Sequence, residues 1–257
     1  MSKRGDDRRS VAQKLFAIAD AFAWRDELTL SEIAGLAGLP MATAHRLIAE
    51  WVDWGGLVRE GGSYRVGVRL WRLGSRQPTV RRLRSVALPY LEDLLEATGE
   101  HVHLAVRDGL GATYLERLSG HAAVPVISDV GTRLPLHATG VGLALLADAP
   151  QATLGQVLAA GPTRYLPNTL TDEAALRRRL AEIRATGVAR SVEELTRGAF
   201  SVASPVRSGT GEVVAAVSII AHVGRVDEPH FALGVRLAAR GISSALGEQV
   251  ATARRAG

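Results

Sequence analysis

The sequence predicts an α+β protein in which a small helical domain with a β-hairpin precedes a larger domain of mixed strands and helices. Three observations lead to this fold class. Helical spacing of apolar residues dominates the first third of the chain, strand-like runs begin near residue 101, and basic charge is concentrated before residue 85. At 257 residues the chain is long enough for two modest hydrophobic cores.

Capping residues and apolar spacing predict the first two helices. Ser10 precedes apolar residues at helical spacing and is expected to be the N-cap of a helix that extends to about Arg25. Thr29 and Glu32 form a Thr-x-x-Glu capping box for a short second helix, which Gly38 ends. Residues 1–9 form a basic tail before these helices.

A third helix opens at Pro40, and its two faces differ in character. The inward face holds Ala44, Leu47, Ile48 and Trp51, and the exposed face holds Met41, Ala42, Thr43, His45 and Arg46. Two short helices joined by a glycine turn, the second with hydrogen-bonding side chains near its exposed start, are typical of a helix-turn-helix. Helical hairpins also occur in proteins that never touch DNA, so a purely structural bundle is the alternative.

A β-hairpin is expected directly after the third helix. Alternating runs at 57–60 and 63–66 flank Gly61 and Gly62, which favour a tight turn. The hairpin would be the wing of a winged helix-turn-helix domain over residues 10–74, and its Ser63 and Arg65 join the DNA-binding candidates.

Charge is distributed very unevenly along the chain. Residues 1–84 hold fifteen Lys and Arg against nine Asp and Glu, a net charge of +6, whereas residues 85–257 hold sixteen against seventeen. A basic segment joined to a near-neutral one is expected if only the first approaches a polyanion such as DNA. A solvated basic surface without a partner is the alternative.

A linker helix is predicted over residues 75–88. Apolar residues recur at helical spacing across 76–95, and Pro89 should end or bend the helix because proline lacks an N–H and hinders the residue before it. The second domain would then occupy residues 89–254. The apolar stripe could pack against a second subunit, which we favour, or against its own domain.

Strands and helices alternate irregularly in the second domain. Strand-like runs cover 101–106, 113–118, 124–128, 202–206 and 213–221, and helical segments lie near 140–147, 153–160, 171–186 and 229–253. This order indicates an α+β domain rather than a doubly wound parallel sheet, and an antiparallel sheet flanked by helices fits it.

Several classes of protein are excluded or disfavoured by the residues present. Cysteine is absent, which excludes disulfides and thiolate chemistry, and no apolar run approaches the length of a membrane span. With no secretory signal, a cytoplasmic protein is expected. No catalytic motif is present, and His101, His103 and His137 lack a carboxylate set, so no metal or cofactor is expected. Ser201, Ser204 and Ser218 would be nucleophiles only beside a base, which the sequence does not identify.

Several motifs in consistent order resemble the IclR family of bacterial regulators. They are the segment 29–74, GEHVHLAV at 99–106, LPLHATGVGLALLA at 134–147, EIRATGVARSVEELTRGAFSVASPVR at 182–207 and GEVVAAVSI at 211–219. The resemblance implies a winged helix-turn-helix, a linker helix and a GAF-like effector domain that senses small metabolites. It also implies assembly into dimers or dimers of dimers.

The chain departs from this family at the start of the third helix. Members often have Lys-Ser-Thr where this chain has Met41-Ala42-Thr43. Thr43 and Arg46 are therefore the better candidates for DNA contact, with His45 as a third, and the operator should differ from those of relatives. Arg46 could instead pair with Glu50 one helical turn later.

The resemblance also maps a set of effector-binding positions onto this chain. They are Leu134, Gly140, Val141, Ser191, Ser201, Ser218 and Ile220. Relatives that bind short oxoacids often have an acidic residue at Ser191 and a hydroxyl at Ile220, so a more apolar effector is expected here, such as an aromatic or branched acid or a lactone. The alternative is that the serines merely satisfy neighbouring backbone groups.

These observations predict a repressor that binds a double-stranded DNA operator and responds to a small-molecule effector. The alternative is a small-molecule-binding enzyme or sensor domain that carries an incidental helical module.

Overall fold

The computed structural model describes residues 8–23, 25–121, 125 and 127–255, and the side chains of these residues up to 248. The chain divides into two compact units, Met1–Arg81 and Arg82–Gly257. Within the described residues, no helix combines the length and the apolar character that a membrane crossing requires.

Among its described residues, the first unit contains four α-helices and a three-stranded antiparallel sheet. The helices are α1 (Val11–Asp20), α2 (Leu30–Ala37), α3 (Met41–Asp53) and α4 (Val68–Gly74), and the strands are β1 (Glu27–Thr29), β2 (Leu57–Glu60) and β3 (Ser63–Val66). The strand order is β1-β3-β2. The buried core of this unit comes mainly from α1, α2 and α3.

The predicted caps and the predicted hairpin agree with the structure of this unit. Ser10 caps α1, Thr29 and Glu32 form a capping box on α2, and β2 and β3 cover the residues expected for the wing. Helix α1 ends at Asp20, earlier than expected, and a 3₁₀ turn follows at Ala21–Ala23. Strand β1 was not predicted; it is three residues long with only Leu28 buried, too short for an alternating pattern to identify it.

The turn between α2 and α3 is stabilised by the backbone conformation of Gly38 and by hydrogen bonds from Arg9. Gly38 has a φ of 61°, a left-handed conformation that glycine adopts without a steric penalty. The Arg9 guanidinium donates hydrogen bonds to the carbonyl oxygens of Ala37 at 2.8 Å and Gly38 at 2.7 Å. Arg9, the last residue of the basic tail, therefore takes part in the helix-turn-helix structure.

In the described part of the second unit, six strands form an antiparallel sheet with helices on both faces. Its strands are β4 (His101–Asp108), β5 (Gly111–Leu118), β6 (Arg133–Pro135), β7 (Ala189–Val192), β8 (Ala199–Arg207) and β9 (Val213–His222). Their order is β6-β5-β4-β9-β8-β7. The helices are α5 (Pro78–Thr98), α6 (Gly140–Ala147), α7 (Gln151–Ala159), α8 (Glu173–Thr186) and α9 (Glu228–Arg255). The predicted α+β class is confirmed.

The two faces of this sheet contact different helices. A methyl group added at Gly140, the first residue of α6, would lie 2.4 Å from Ser201 Oγ and 3.5 Å from Ala203 Cβ. A methyl group at Gly234 of α9 would instead lie 3.9 Å from Ile219 Cδ1. Because side chains alternate along a strand, Ser201 and Ala203 face α6, whereas Ile219 faces α9.

The expected helix boundary at Pro89 is wrong, because α5 continues through this residue to Thr98. Proline removes one hydrogen bond within the helix, but the buried face continues from Ala87 to Leu91 and Leu94 at helical spacing. Burial of these side chains offsets the loss of that bond.

The preferred role of the apolar stripe over 76–95 also needs correction. Leu83, Ala87, Leu91 and Leu94 are buried by other residues of the same chain. These four residues pack within their own chain, the alternative that the sequence left open, whereas Val80, Tyr90 and Leu95 of the stripe are half-buried.

The strand predicted over 124–128 is not observed. Residues 124 and 126 lie outside the described residues, and residues 125, 127 and 128 are not in a strand. Two short strands, β6 and β7, were not predicted from the sequence.

Candidate functional site

The outward face of α3 carries the predicted DNA-binding residues. Met41, Ala42, His45 and Arg46 are exposed, and Thr43 is half-buried. The opposite face buries Ala44, Leu47 and Ile48 in the core of the first unit. Burial of this second face fixes which side chains α3 presents to solvent.

Arg46 pairs with Glu50, as the alternative interpretation anticipated. Its Nη1 lies 2.8 Å from Glu50 Oε1, and both side chains are more than half exposed. An exposed pair at this spacing stabilises a helix by only about 0.3–0.5 kcal/mol. The pair can therefore be exchanged for a phosphate or a base at little cost.

The wing residues Ser63 and Arg65 are both held by Glu27 of β1. The Ser63 hydroxyl donates to the Glu27 carboxylate, and Arg65 Nη2 lies 2.7 Å from Glu27 Oε2. These two partners lower the pKa of Glu27, and the hydrogen bond from the Ser63 hydroxyl is the larger cause. Arg65 also pairs with Glu60 at 3.1 Å. The wing thus presents a guanidinium flanked by two carboxylates.

In the second unit, the strand register places the predicted effector-binding serines on one face of the sheet. Paired residues on neighbouring strands form rows across it. One row contains His101, Ile220, Ser201 and Ser191, and the next contains His103, Ser218, Ala203 and Ala189. Both rows face α6, because Ser201 and Ala203 do.

A pocket lies between this face and the start of α6. Of the seven predicted positions, five line it: Leu134, Gly140, Ser191, Ser201 and Ile220. Val141 is instead buried in the core, and Ser218 lies in the row beyond Ile220. The remaining lining residues are Tyr114, Ile127, Ser128, Ala138, Thr139, Glu194, Leu195, Thr196 and Ala199.

Helix α6 begins at the edge of this pocket, where its N-cap Thr139 and its first residue Gly140 are lining residues. Thr139 is the N-cap, and its Oγ1 accepts a hydrogen bond from the Gly142 N–H at 3.1 Å. The first N–H groups of a helix have no partner within it, which leaves those of Gly140 and Val141 to acceptors outside the helix. Together with the helix dipole, this arrangement favours an anionic group.

Glu194 is a buried carboxylate in the pocket wall that sequence reasoning did not identify. Only 3% of the residue is exposed, and Arg179 Nη1 lies 3.3 Å from its Oε1. Burial raises the pKa of Glu194 to about 7, and the nearby Arg179 opposes that rise without cancelling it. The only sequence signal was its place three residues after Ser191, within the same motif.

The raised pKa of Glu194 predicts a pH-dependent stability. Between the ordinary value of 4.5 and about 7, the folded chain keeps a proton that the unfolded chain releases. The free energy of unfolding should therefore fall as pH rises through this window and level off above it. Urea unfolding of wild type and Glu194→Gln from pH 4.5 to 8 measures this, and the variant should show a shallower fall. An equal slope in both proteins would contradict the assignment.

The three candidate histidines do not converge on a common site. His101 and His103 lie on the same face of β4 with ring centroids 6.1 Å apart, whereas His137 Nε2 is 2.9 Å from the Thr163 carbonyl oxygen. Burial lowers the pKa of His103 to about 3. Among the described residues, no group of three or more His, Asp or Glu is placed to hold a metal ion.

A winged helix-turn-helix in the same chain as a sheet domain with an anion-favouring pocket defines a class of protein, the ligand-responsive DNA-binding regulators. Family models agree with this class. The IclR helix-turn-helix domain matches residues 11–61, and the bacterial transcriptional regulator IclR C-terminal domain matches residues 78–244. The chain therefore belongs to the IclR family of bacterial transcriptional regulators.

Two curated relatives and one solved structure illustrate this membership. The chain is 34% identical to the transcriptional regulator XynR of Escherichia coli K12, covering 80% of this chain and 83% of XynR. It is 34% identical to the transcriptional repressor AllR of Klebsiella pneumoniae, covering 85% and 83%. An IclR homologue from Microbacterium hydrocarbonoxydans, complexed with 4-hydroxybenzoate, is 38% identical, with a TM-score of 0.83 over 92% of this chain and 99% of that one.

Proposed function

We propose that this regulator is a repressor that contacts its operator through α3 and the wing, and that an aromatic acid in the second unit changes its affinity for DNA. The pocket carries the proposal, because it brings the N-terminus of α6 together with ring and aliphatic side chains. The proposed domains are residues 10–74 for DNA and 89–254 for effector, with residues 75–88 as the linker between them. Leu83, Val86 and Ala87 of that linker are buried in the second unit.

The DNA-binding half of the proposal is supported by the exposure of the α3 residues and by the charge of the first unit. The proposed contacts are Met41, Ala42, Thr43, His45 and Arg46 of α3 and Ser63 and Arg65 of the wing. Arginine can make a bidentate contact to guanine, whereas methionine and alanine can touch only apolar features such as a thymine methyl.

The effector half is supported by the composition of the pocket. Tyr114, Ile127 and Leu134 supply ring and aliphatic surface, and the N–H group of Gly140 at the start of α6 favours a carboxylate. The homologue solved with 4-hydroxybenzoate shares this fold at 38% identity. An aromatic carboxylate could place its charged group at the anion-binding start of α6 and its ring against the apolar side chains of the pocket.

Assembly into dimers in the cytoplasm is the remaining part of the proposal. Helix α4 follows the wing directly, and its side chains Val68, Trp71 and Leu73 are each more than half exposed. Exposed apolar side chains clustered on one short helix favour an interface between copies of the chain. A dimer also reads two half-sites, as discrimination among genomic sequences requires.

Selection of bound fragments from genomic DNA tests the function directly. Fragments retained by the purified protein should share one sequence motif, and titration of that operator with 4-hydroxybenzoate should shift the DNA affinity about 5- to 150-fold. Indifference to every duplex at low ionic strength, with and without the acid, would overturn the proposal. Turnover of the acid to a product would favour the enzyme alternative.

Replacing Ser201 with alanine should weaken 4-hydroxybenzoate binding about 10-fold or more while leaving the affinity of the free protein for operator unchanged. Ser201 lies against Gly140 at the start of α6, where its hydroxyl would orient a carboxylate. A hydrogen bond to a charged group contributes about 1.5–3 kcal/mol. Calorimetric titration with the acid measures the effect.

Ser204→Ala is the matched control on the same strand. Ser204 faces away from α6, and its Oγ donates to the Gly187 carbonyl oxygen at 2.9 Å. This variant should lose some thermal stability and keep the wild-type affinity for the acid. Equal losses of ligand affinity in both variants would show that Ser201 acts only through the stability of the sheet.

A further inference from the structure

Glu194 brings a buried carboxyl group to the wall of the pocket at the start of α6. Its Oε2 has no hydrogen-bond partner among the described residues. The main chain at this position is fixed, because the Glu194 carbonyl oxygen accepts a hydrogen bond from Thr169 Oγ1 at 2.5 Å. Buried polar atoms without a partner are rare in folded proteins, so Oε2 has a position for one more hydrogen bond that an occupant of the pocket could fill.

A cation next to this carboxyl group neutralises it only in part. Arg179 Nη1 of α8 lies 3.3 Å from Glu194 Oε1, and the same nitrogen donates to the Arg190 carbonyl oxygen at 2.8 Å. The guanidinium is therefore shared between a carboxyl oxygen and a backbone oxygen. Among the charged side chains, Arg179 is the one that lowers the pKa of Glu194, and burial outweighs it.

The charged and titratable groups on the nearest loops have other partners or are exposed. Glu193, on the same loop as Glu194, accepts a hydrogen bond from the Gly198 N–H at 2.7 Å, and Arg197 of this loop is exposed. His137, just before α6, has its Nε2 2.9 Å from the Thr163 carbonyl oxygen. These groups therefore do not compensate the charge of an ionised Glu194.

The groups that the neighbouring strands bring to this side of the sheet are neutral or paired. Burial raises the pKa of Tyr114 on β5 and lowers that of His103 on β4 to about 3, so both are uncharged at neutral pH. Arg117 of β5 donates to the Ser128 carbonyl oxygen at 3.2 Å and lies 4.0 Å from Asp129. Arg117 thus already has a carboxylate of its own.

An anionic effector would bring a second negative charge into the pocket that contains Glu194. The effector carboxylate is expected at Gly140, and Gly140 and Glu194 line the same pocket. Two carboxylates in one buried site repel each other, which favours protonation of one of them. Burial has already raised the pKa of Glu194 to about 7, so this group takes up a proton easily near neutral pH. In its neutral form Glu194 also gains an O–H donor.

We infer that the pocket binds its anionic effector together with one proton, which Glu194 holds as a neutral carboxylic acid that donates a hydrogen bond to the effector. The inference rests on the proposed function, because it requires a carboxylate effector in this pocket. It makes Glu194 an effector-binding residue, and it makes the response of the regulator to effector weaker as pH rises.

Calorimetric titration of wild-type protein with 4-hydroxybenzoate, in buffers that differ in ionisation enthalpy, counts the protons taken up with each acid. We expect about 0.1 proton at pH 6 and about 0.9 at pH 8, because the free protein loses the Glu194 proton between these values. The Kd for the acid should be about 10-fold weaker at pH 8, where only about one-tenth of the free protein carries this proton.

Glu194→Gln should remove this linkage, because the amide is neutral at every pH and keeps a hydrogen-bond donor. We expect no proton uptake and a Kd that changes less than about 2-fold from pH 6 to 8. Glu193→Gln is the matched control on the same loop, where Glu193 does not line the pocket. It should keep the wild-type proton uptake. Ionisation of the acid itself affects all three proteins equally.

Absence of proton uptake by wild type at pH 8 would overturn the inference and leave the proposed effector class intact. This measurement needs no variant, so it holds even if Glu194→Gln fails to fold. An equal pH dependence in wild type and Glu194→Gln would also reject the role of Glu194. If wild type binds no 4-hydroxybenzoate between pH 6 and 8, the proposed effector class fails, and this inference with it.

Discussion

Replacing Arg46 with alanine should reduce the affinity for the selected operator about 5- to 150-fold, equivalent to about 1–3 kcal/mol. Arg46 is exposed on the outward face of α3, and its partner Glu50 lies on the same helix. On DNA, a base contact or a phosphate contact would replace the weak ion pair with Glu50. Because little free energy is lost when that pair breaks, most of the favourable energy of the new contact would contribute to DNA binding. Fluorescence anisotropy with labelled operator, at one fixed salt concentration, measures the loss.

Glu50→Ala separates DNA contact from helix stabilisation. Both variants break the 2.8 Å pair, so any effect of the pair on the helix is common to them. If Arg46 contacts DNA, Glu50→Ala should keep or increase operator affinity, because it removes a carboxylate near the phosphates. Equal losses in the two variants would assign Arg46 to the helix and reject the contact.

Replacing Gly142 with alanine should destabilise the second unit by about 1–3 kcal/mol or more and weaken binding of 4-hydroxybenzoate. The added methyl would lie 2.5 Å from the Leu136 carbonyl oxygen and 2.5 Å from Thr139 Oγ1. Thr139 is the N-cap of α6, and the first of these contacts is to backbone, which cannot move aside easily. The start of α6 and its free N–H groups should therefore be displaced.

Gly155→Ala provides the control within the same unit. Gly155 is exposed within α7, and a methyl group added there has no neighbour within 4 Å. This variant should be stabilised by about 0.4–1 kcal/mol, because alanine favours the helix over the unfolded chain. Thermal unfolding of both variants should show shifts of opposite sign. A Gly142→Ala protein with wild-type stability would contradict the close packing at the start of α6.

Local patterns predicted most of the first unit. Ser10, Thr29 and Gly38 each act through neighbours within a few residues, so their roles can be recognised in the sequence. The glycine pair between β2 and β3 likewise defined the wing. Strand β1 escaped notice because its pairing with β3 joins residues more than thirty positions apart.

The arrangement of the pocket residues could not be predicted from local patterns, because it depends on pairings between strands that are distant in the sequence. Ser201 and Ile220 were placed by family resemblance, but their position side by side in the sheet follows only from the register between β8 and β9. Glu194 enters the wall through the loop between β7 and β8, and its burial depends on Arg179 of α8 and the surrounding core. At Pro89 the local signal was misleading: proline predicts the end of a helix, but α5 continues because the residues on either side of Pro89 are buried.

The carboxylate of Glu27 has a consequence for how the operator complex should respond to ionic strength. Each phosphate neutralised by a free cation releases condensed counterions and contributes about −0.9 to the slope of log affinity against log salt concentration. If Arg65 contacts the duplex as proposed, it does so already paired with Glu27 and Glu60, and it should then displace fewer counterions than an isolated arginine would. The measured slope should therefore be shallower than a tally of basic side chains in the first unit would suggest.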